Sequence, residues 1–436
     1  MNAAKQKRFT KTERSWIMYD WANSIWATNI AAAIFPIYFA LKATDEGNAI
    51  FGYMVSIANL AVAVLAPYLG AIGDFRGMKK KLWAGFMLLG VAFTAVMAIF
   101  GSWQMMLVGF VMSRIGFSGS CLFYDSFLTD VTTPDRMDKV SAWGYAMGYI
   151  GGSTIPFVIS IAIMLLMNMS DLSYRIAIMI VPVWWLIFSI PFWKNVEQVH
   201  CVDQPPSRLG REALRNTVAT FRAILKDKAL LFFLLACFFY IDGVGTIISM
   251  ATNYGSTLGL GSIGMILALL VTQIVAMPCS ILYGNWSKRF GALRLIGVAV
   301  GIYAFITVVG FVMGFLVDFH ETLGLTSEAA IGISTVLFWI LATLVGTVQG
   351  GIQALSRSYF GQLIPPERSN EYYGFMDIFG KFASVIGPAL YALVLGLTGR
   401  PSFGILSLIL LFVLGGVFLI AGRPFFRKAE GAGGGR

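Results

Sequence analysis

The chain has 436 residues, of which 57% are hydrophobic and only 12% are charged. A soluble protein of this size carries about 25% charged residues, so the composition excludes an ordinary soluble domain and makes the lipid bilayer the main solvent. The net charge of +10 does not indicate nucleic-acid binding, because the basic residues lie in short loops between apolar runs. No metal or other cofactor is expected, since the two histidines and four cysteines show no ligand or disulfide spacing.

Twelve apolar segments are long enough to span a membrane, which takes about 20 residues. The predicted spans are residues 15–41, 51–72, 82–100, 102–128, 139–168, 174–193, 229–254, 260–284, 291–317, 331–359, 371–397 and 401–421. The first follows a basic amino terminus and is too long for the apolar core of a signal peptide. We therefore predict an all-α membrane protein with twelve transmembrane helices.

The longest polar interruption, residues 194–228, follows the sixth segment. It divides the chain into two predicted six-helix bundles, residues 1–193 and 229–436, and forms a linker between them. An amphipathic stretch around Leu209–Leu225 is expected to lie on the membrane surface.

A parallel internal repeat relates the two halves. With a shift of 232 positions, five residues between Asp125 and Pro156 meet identical residues, and helix end, loop and next helix coincide. The identical pairs are Ser126 and Ser358, Pro134 and Pro366, Arg136 and Arg368, Gly148 and Gly380, and Pro156 and Pro388. Such a repeat is typical of transporters built from two similar, pseudo-symmetric membrane halves.

The distribution of basic residues predicts the orientation. The two termini and the even-numbered loops hold 26 of the 32 lysines and arginines, whereas the opposite side holds only Lys42, Arg175 and Arg400. Because basic residues remain on the cytoplasmic side, both termini are predicted to be cytoplasmic.

The loop after the second span reads GAIGDFRGMKK over residues 70–80. Its glycines permit a tight turn and close helix approach, and Asp74 can pair with a cation or with a helix terminus. A similar loop follows the eighth span, with Lys288 in the place of Asp74 and Gly291 in the place of Gly77. In the fifth span, a run of glycines predicts a close-packing surface; these are Gly144, Gly148, Gly151 and Gly152.

Charged and amide side chains inside spans are costly, so they are candidate functional residues. Spacings of three, four and seven place them on one face of each helix. The stripes are Asp20 and Asn23 in the first span, Arg114, Ser118, Cys121 and Asp125 in the fourth, Asp242, Thr246, Ser249 and Asn253 in the seventh, Gln349, Gln353 and Arg357 in the tenth, and Tyr373, Asp377, Lys381 and Ser384 in the eleventh. The alternative is that they form structural ion pairs or hydrogen bonds between helices.

The loop at residues 70–80 resembles the loop motif of the major facilitator superfamily, G-x-x-x-D-x-x-G-x-[RK]-[RK], at every fixed position. With twelve spans, this resemblance implies two six-helix bundles around a central cavity and transport by alternating access. It assigns a cytoplasmic gate to the matching residues, which are Gly70, Asp74, Gly77, Lys79 and Lys80. We add Asp125 and Arg357 to the predicted gate because both lie near cytoplasmic helix ends. Helices 1, 4, 7 and 10 line the cavity in this superfamily, and four of the five stripes fall on them.

Four further segments resemble signatures of the vacuole-effluxer-like family. They are ERSWIMYDWANS at residues 13–24, YIDGVGTI at 240–247, GGIQALSRS at 350–358 and the region 364–381. The resemblance implies a transporter, since fungal members of that family are implicated in moving amino acids out of the vacuole.

We therefore expect a secondary active transporter for a small polar solute such as an amino acid, coupled to the proton gradient. Asp242 is the first candidate proton carrier and Asp20 the second, because a desolvated carboxyl group can load and unload a proton near neutral pH. Arg114 is a candidate partner for a substrate carboxylate, and Asp377 with Lys381 either binds a zwitterion or forms an ion pair. Asn23, Asn253, Gln349 and Gln353 complete the predicted binding set.

Two other functions stay open. The chain could export an amphipathic molecule such as a drug, lipid or cell-wall fragment, or serve as a membrane receptor of the same fold. An enzyme is not expected, because no H-E-x-x-H motif or intramembrane histidine is present. The expected setting is a bacterial cytoplasmic membrane, with a monomer that contacts its small-molecule substrate and membrane lipid but no nucleic acid.

Overall fold

The computed structural model describes residues 8–202 and 209–433. Within these ranges the chain is helical, and the extended pairing is limited to an isolated bridge between Phe75 and Val202. Twelve helices correspond to the predicted spans and are numbered α1 to α12. Their bounds are Lys11–Lys42, Asp45–Gly73, Met78–Ile99, Trp103–Val131, Pro134–Leu166, Asp171–Asn195, Lys228–Thr257, Ser262–Phe290, Ala292–Asp318, Ser327–Leu363, Ser369–Thr398 and Pro401–Gly431.

In the described part of the chain, eleven of these helices are long and apolar enough to cross a membrane. Helix α11 contributes a shorter apolar section, Val385–Thr398. Between α6 and α7 lies an additional helix, Leu209–Lys226, which we call the linker helix. The predicted all-α fold with twelve transmembrane helices is confirmed.

The helix ends reproduce the internal repeat. Helix α4 ends at Val131 and α10 at Leu363, which are separated by the 232 positions of the sequence alignment. The two similar loops also share a glycine with positive φ, because Gly77 has φ of 73° immediately before α3 and Gly291 has φ of 85° immediately before α9, although their ψ angles of 2° and 140° differ. Both glycines occupy the left-handed region that side chains other than glycine rarely adopt.

The helices form two compact units. The first unit contains α1 to α6, the linker helix as far as Phe221, and the segment Ile364–Ile378, which carries the start of α11. The second unit contains Arg222–Leu363 and the chain from Phe379 onward.

Small residues bring the helices of the first unit together. A Cβ atom at Gly116 of α4 would lie 2.6 Å from the Cα atom of Gly90 in α3, so these helices touch through their backbones. Helix α5 packs on α1 through its glycines, since a Cβ at Gly152 would lie 2.5 Å from Cβ of Ser24 and one at Gly151 would overlap the ring of Trp21. The predicted packing surface is therefore confirmed at Gly151 and Gly152, and also at Gly148.

Both helices at this surface contain π-helical turns, at Trp26–Ala32 in α1 and at Gly148–Thr154 in α5. Such wide turns are frequent at functional sites. Within α1 the π-helical turn holds Asn29, whose Nδ2 donates a hydrogen bond of 2.9 Å to Ser160 Oγ.

The second unit packs in the same manner. A Cβ at Gly346 of α10 would lie 2.8 Å from the carbonyl oxygen of Thr272 in α8. Helices α9 and α12 are joined by the stacked rings of Tyr303 and Phe412, whose centroids are 5.5 Å apart. Close backbone approach and aromatic stacking thus replace the hydrophobic effect, which is absent between helices in lipid.

Candidate functional site

The predicted gate residue Asp74 meets the start of α11. Its Oδ1 accepts hydrogen bonds from the backbone N of Asn370 at 2.9 Å and from Asn370 Nδ2 at 2.8 Å. Its Oδ2 accepts from the backbone N of Glu371 at 3.2 Å. Because the first N–H groups of a helix lack partners inside the helix and carry positive partial charge, a carboxylate here is well placed.

Gly70 makes this approach possible. A Cβ atom at that position would lie 2.7 Å from the carbonyl carbon of Asn370 and 2.9 Å from Cα of Glu371, closer than real side chains come. Gly374, one turn further along α11, lies as close to α2, because a Cβ there would be 2.7 Å from Cα of Pro67. Two glycines on facing helices thus bring the start of α11 against the end of α2.

Lys79 lies in the same cluster and is fully buried. Its Nζ donates to Asp130 Oδ2 at 2.7 Å, to Ser369 Oγ at 2.9 Å and to the carbonyl oxygen of Ser126 at 3.2 Å. Three partners use the three donors of the ammonium group, so the cation is satisfied without water. We call Asp74, Lys79, Asp130, Ser369 and Asn370 the loop cluster.

The segment after α6 is tied to this cluster. Asp130 Oδ1 accepts from the backbone N of His200 at 2.8 Å and lies 3.2 Å from its Nδ1. The backbone of Val202 donates to the carbonyl oxygen of Asp74 at 2.8 Å and accepts from the backbone N of Arg76. The hydrogen bond with the Asp130 carboxylate raises the pKa of His200 above its ordinary value, so the protonated form is favoured in the folded protein.

The remaining predicted gate residues lie at several positions in the two units. Gly77 starts α3, and Lys80 follows Lys79 as a half-buried side chain. Asp125 is half-buried on α4, and Arg357 is buried on α10 in the second unit.

The stripes of α1 and α4 face each other within the first unit. Tyr124 donates from its hydroxyl to Asp20 Oδ2 at 2.7 Å, and Asn23 Nδ2 lies 3.6 Å from Sγ of Cys121. Asp20 and Asn23 are both buried. The contact of Asn23 with Cys121 joins members of the two predicted stripes, whereas Tyr124, the partner of Asp20, lies outside the predicted stripe of α4.

Arg114 has a partner that sequence reasoning did not identify. Its Nε donates to Asn59 Oδ1 of α2 at 2.6 Å. The signal was available, because Asn59 is the one amide in the predicted span 51–72. An amide in an apolar span is costly for the same reason as a charge.

In the second unit, Asp242 of α7 is buried against α11. Thr246 donates to its Oδ1 at 3.4 Å, and a Cβ at Gly387 would lie 2.9 Å from the same oxygen. Within the described residues, Asp242 Oδ2 has no hydrogen-bond partner. A buried polar atom without a partner is costly, so Asp242 is a candidate functional residue.

A cavity of about 90 Å³ lies in the second unit, among α7, α8, α9 and α10. Its lining is mostly apolar, with residues such as Ile247, Met313 and Leu341, and it also contains the predicted site residue Gln349. Gln273 of α8 lines it too, and no described group pairs with its buried Oε1. Apolar walls with a few amide groups are the composition of small-molecule sites, although about 90 Å³ is less than the roughly 300–1,000 Å³ that such sites enclose.

Other predicted site residues lie elsewhere. Asn253 is exposed near the end of α7, and Gln353 is half-buried on α10. Asp377 is half-buried on α11, and the side chain of Lys381 lies outside the described side chains, as does that of Ser384. In the described ranges, no group of three His, Cys, Asp or Glu residues is arranged to hold a metal ion.

A family model described as "Vacuole effluxer Atg22 like" matches residues 41–137 and 129–422. The chain is 44% identical over 427 residues to the uncharacterized MFS-type transporter YxiO of Bacillus subtilis, with 95% of each chain covered. It is 26% identical to autophagy-related protein 22 of Coccidioides immitis, over 84% of this chain and 71% of the relative. The chain belongs to the Atg22-like vacuole effluxer family.

Solved structures share the fold. A bacterial homologue of the iron transporter ferroportin in an outward-facing state aligns with a TM-score of 0.66 at 14% identity, over 95% of this chain and 98% of that one. The MFS proton:xylose symporter XylE aligns with a TM-score of 0.65 at 12% identity, over 94% of each chain. This member of the Atg22-like family is therefore a multi-pass membrane transporter of the major facilitator fold and not an enzyme.

Proposed function

We propose that this protein moves a small polar solute of the amino-acid type by alternating access, driven by the proton gradient. The observation that carries the proposal is Asp242, a buried carboxyl group with one oxygen that lacks a partner among the described residues. An intramembrane ionisable residue is a functional candidate because ionisation in lipid is costly.

Proton coupling follows from the physical chemistry of such a group. Burial disfavours the ionised carboxylate, whereas contact with water favours it. A carboxyl group that is alternately enclosed and hydrated therefore takes up and releases a proton in each cycle. Thr246 and Gly387 define the surroundings of Asp242, and Asp20, which accepts from Tyr124, is the second candidate.

The choice of substrate is supported by the amide-containing cavity and by the family. Gln349 and Gln273 offer donors and acceptors for a polar group, and the apolar lining suits an uncharged side chain. Arg114, held by Asn59, is a fixed cation for a substrate carboxylate. Asp377 and Lys381 are proposed to bind the charged ends of the substrate or to neutralise each other.

The loop cluster is the proposed gate. Asp74 and Lys79 hold the start of α11 through hydrogen bonds that a change of conformation could break and remake. We further propose that both termini are cytoplasmic, that the protein resides in a bacterial cytoplasmic membrane, and that it acts as a monomer.

A second candidate function is favoured by the largely apolar lining of the cavity. An exporter of amphipathic molecules would need such walls with few polar groups. The amide groups would then orient one polar end of the cargo.

The test is counterflow and uptake of a labelled amino-acid mixture in proteoliposomes, with and without an inward-acid pH gradient. We expect gradient-driven accumulation that Asp242→Asn abolishes while exchange of substrate persists. The matched control is Asp171→Asn, which changes an exposed carboxylate paired with Lys42. If the pH gradient still drives accumulation in Asp242→Asn, the role of Asp242 is refuted. Absence of counterflow for every amino acid would refute the amino-acid substrate and favour amphipathic cargo.

A further inference from the structure

The linker helix presents an apolar stripe away from the protein. Leu214, Val218, Phe221 and Leu225 are exposed by 59%, 44%, 46% and 50%. At about 100° per residue, these four side chains fall within about 60° of one another on the helix surface. A stripe this narrow and this regular is typical of a helix that lies in a membrane interface.

Basic side chains follow one flank of the stripe. They are all exposed, and they are Arg211, Arg215, Arg222 and Lys226. The same helical geometry places them about 60–120° around the helix from Leu214. One acidic residue is near them, since Glu212 pairs with Arg215 at 2.8 Å. The flank therefore keeps a net positive charge.

The face opposite the basic flank holds the helix on the protein. Ala213 and Thr220 are buried, and Gly210 lies against Tyr68 of α2, where a Cβ would be 3.0 Å from the tyrosine hydroxyl. At the edge of the apolar stripe nearest to this face, the ring of Phe221 also stacks on Phe375 of α11, with centroids 5.9 Å apart. These contacts fix which side of the helix is free.

The position along the chain sets the depth of the helix. It ends at Lys226, and the membrane-spanning helix α7 begins at Lys228 with Asp227 as its N-cap. The last turn must therefore lie at the end of a spanning helix, where acyl chains give way to headgroups.

We propose that the exposed face of the linker helix is a binding surface for anionic phospholipids. The apolar stripe inserts at the boundary of the acyl chains, and the arginines and lysine on its flank contact the acidic headgroups of the same leaflet. Long basic side chains suit this arrangement because their stems lie along apolar surface while their charges reach the headgroups.

The test is amide hydrogen exchange of residues 209–226 in the full-length protein, measured by mass spectrometry in nanodiscs. Discs of phosphatidylcholine are compared with discs that contain increasing fractions of phosphatidylglycerol. We expect phosphatidylglycerol to slow exchange in this helix. Since each basic side chain near an anionic surface strengthens binding about fivefold, Arg211→Gln/Arg222→Gln should weaken binding about 25-fold. At the phosphatidylglycerol content that just saturates the wild type, the response of this variant should be less than half as large.

The matched control is Arg427→Gln/Lys428→Gln, which removes two exposed positive charges from α12 and should leave the response unchanged. A second variant, Leu214→Gln/Val218→Gln, removes the insertion and should accelerate exchange in both kinds of disc. Equal exchange of the wild-type helix in the two lipids would overturn the proposal. So would an equal loss of response in the control variant, because general surface charge would then explain it.

Discussion

Gly70 offers a direct test of how the start of α11 is held. A methyl group at this position must displace backbone atoms of Asn370 and Glu371, which lie 2.7 and 2.9 Å from the site of the new Cβ. Backbone yields less readily than the tip of a flexible side chain, so we expect Gly70→Ala to move the segment by roughly 0.5 Å or more. The bond from the Glu371 amide to Asp74, already 3.2 Å long, would then exceed hydrogen-bonding distance.

The expected magnitude follows from the bonds at risk. A hydrogen bond to a charged group contributes about 1.5–3 kcal/mol, and 1.4 kcal/mol corresponds to a factor of ten in an equilibrium. Loss of one such bond should therefore accelerate amide exchange in the segment 364–378 at least about tenfold. Hydrogen exchange of the purified, full-length protein measures this opening directly.

Gly85→Ala is the matched control. Gly85 lies in α3 with no described atom within 4 Å of a new Cβ, so alanine there should leave exchange at the start of α11 unchanged. If Gly70→Ala and Gly85→Ala show the same protection in the segment 364–378, the close approach does not hold α11, and the reasoning on the loop cluster fails.

Two further predictions concern the same cluster. Because the hydrogen bond with Asp130 raises the pKa of His200, the stabilisation that this bond provides is present below pH 6.5 and is lost as the pH rises through the pKa of the folded state. Over that pH window, the unfolding temperature of the wild type should fall relative to that of His200→Gln. Parallel pH profiles of the two unfolding temperatures would contradict this. Lys79→Met removes the buried cation that pairs with Asp130 and leaves that carboxylate only the half-exposed His200, so it should lower the free energy of unfolding by about 3 kcal/mol. Lys80→Met, at the half-buried neighbour, should change the free energy of unfolding little; chemical denaturation measures both.

The fold was predictable because the bilayer imposes a simple rule. Backbone groups in lipid must pair within their own helix, so length and hydropathy alone predict the spans. The similarity of the two loops was equally accessible, since glycine at Gly77 and Gly291 is required by positive φ and therefore leaves a mark in the sequence. Stripe spacing placed Asn23 on the face of α1 that contacts Cys121, but it did not identify Tyr124 as the partner of Asp20.

The partners of these residues were harder to predict, because they come from distant parts of the chain. The sequence allowed Asp74 either a cation or a helix terminus, and it could not indicate that Asn370, 296 positions away, supplies two of the donors. Asp130 and His200 were missed for another reason. Both lie near helix ends, where charged residues are common and periodicity carries no information.

The charged atoms of Asp74 and Lys79 in the loop cluster have hydrogen-bond partners, whereas one carboxyl oxygen of Asp242 has none among the described residues. Lys79 and Asp74 have partners for their charged atoms, as expected of groups that stabilise one arrangement of α11. Asp242 retains an unpaired buried oxygen, which lowers stability in the arrangement described here. A polar atom without a hydrogen-bond partner gains one when a proton or solute binds. An atom that already has its partners within the protein gains none. This difference supports the proposal that the cluster acts as a gate and that Asp242 binds the proton.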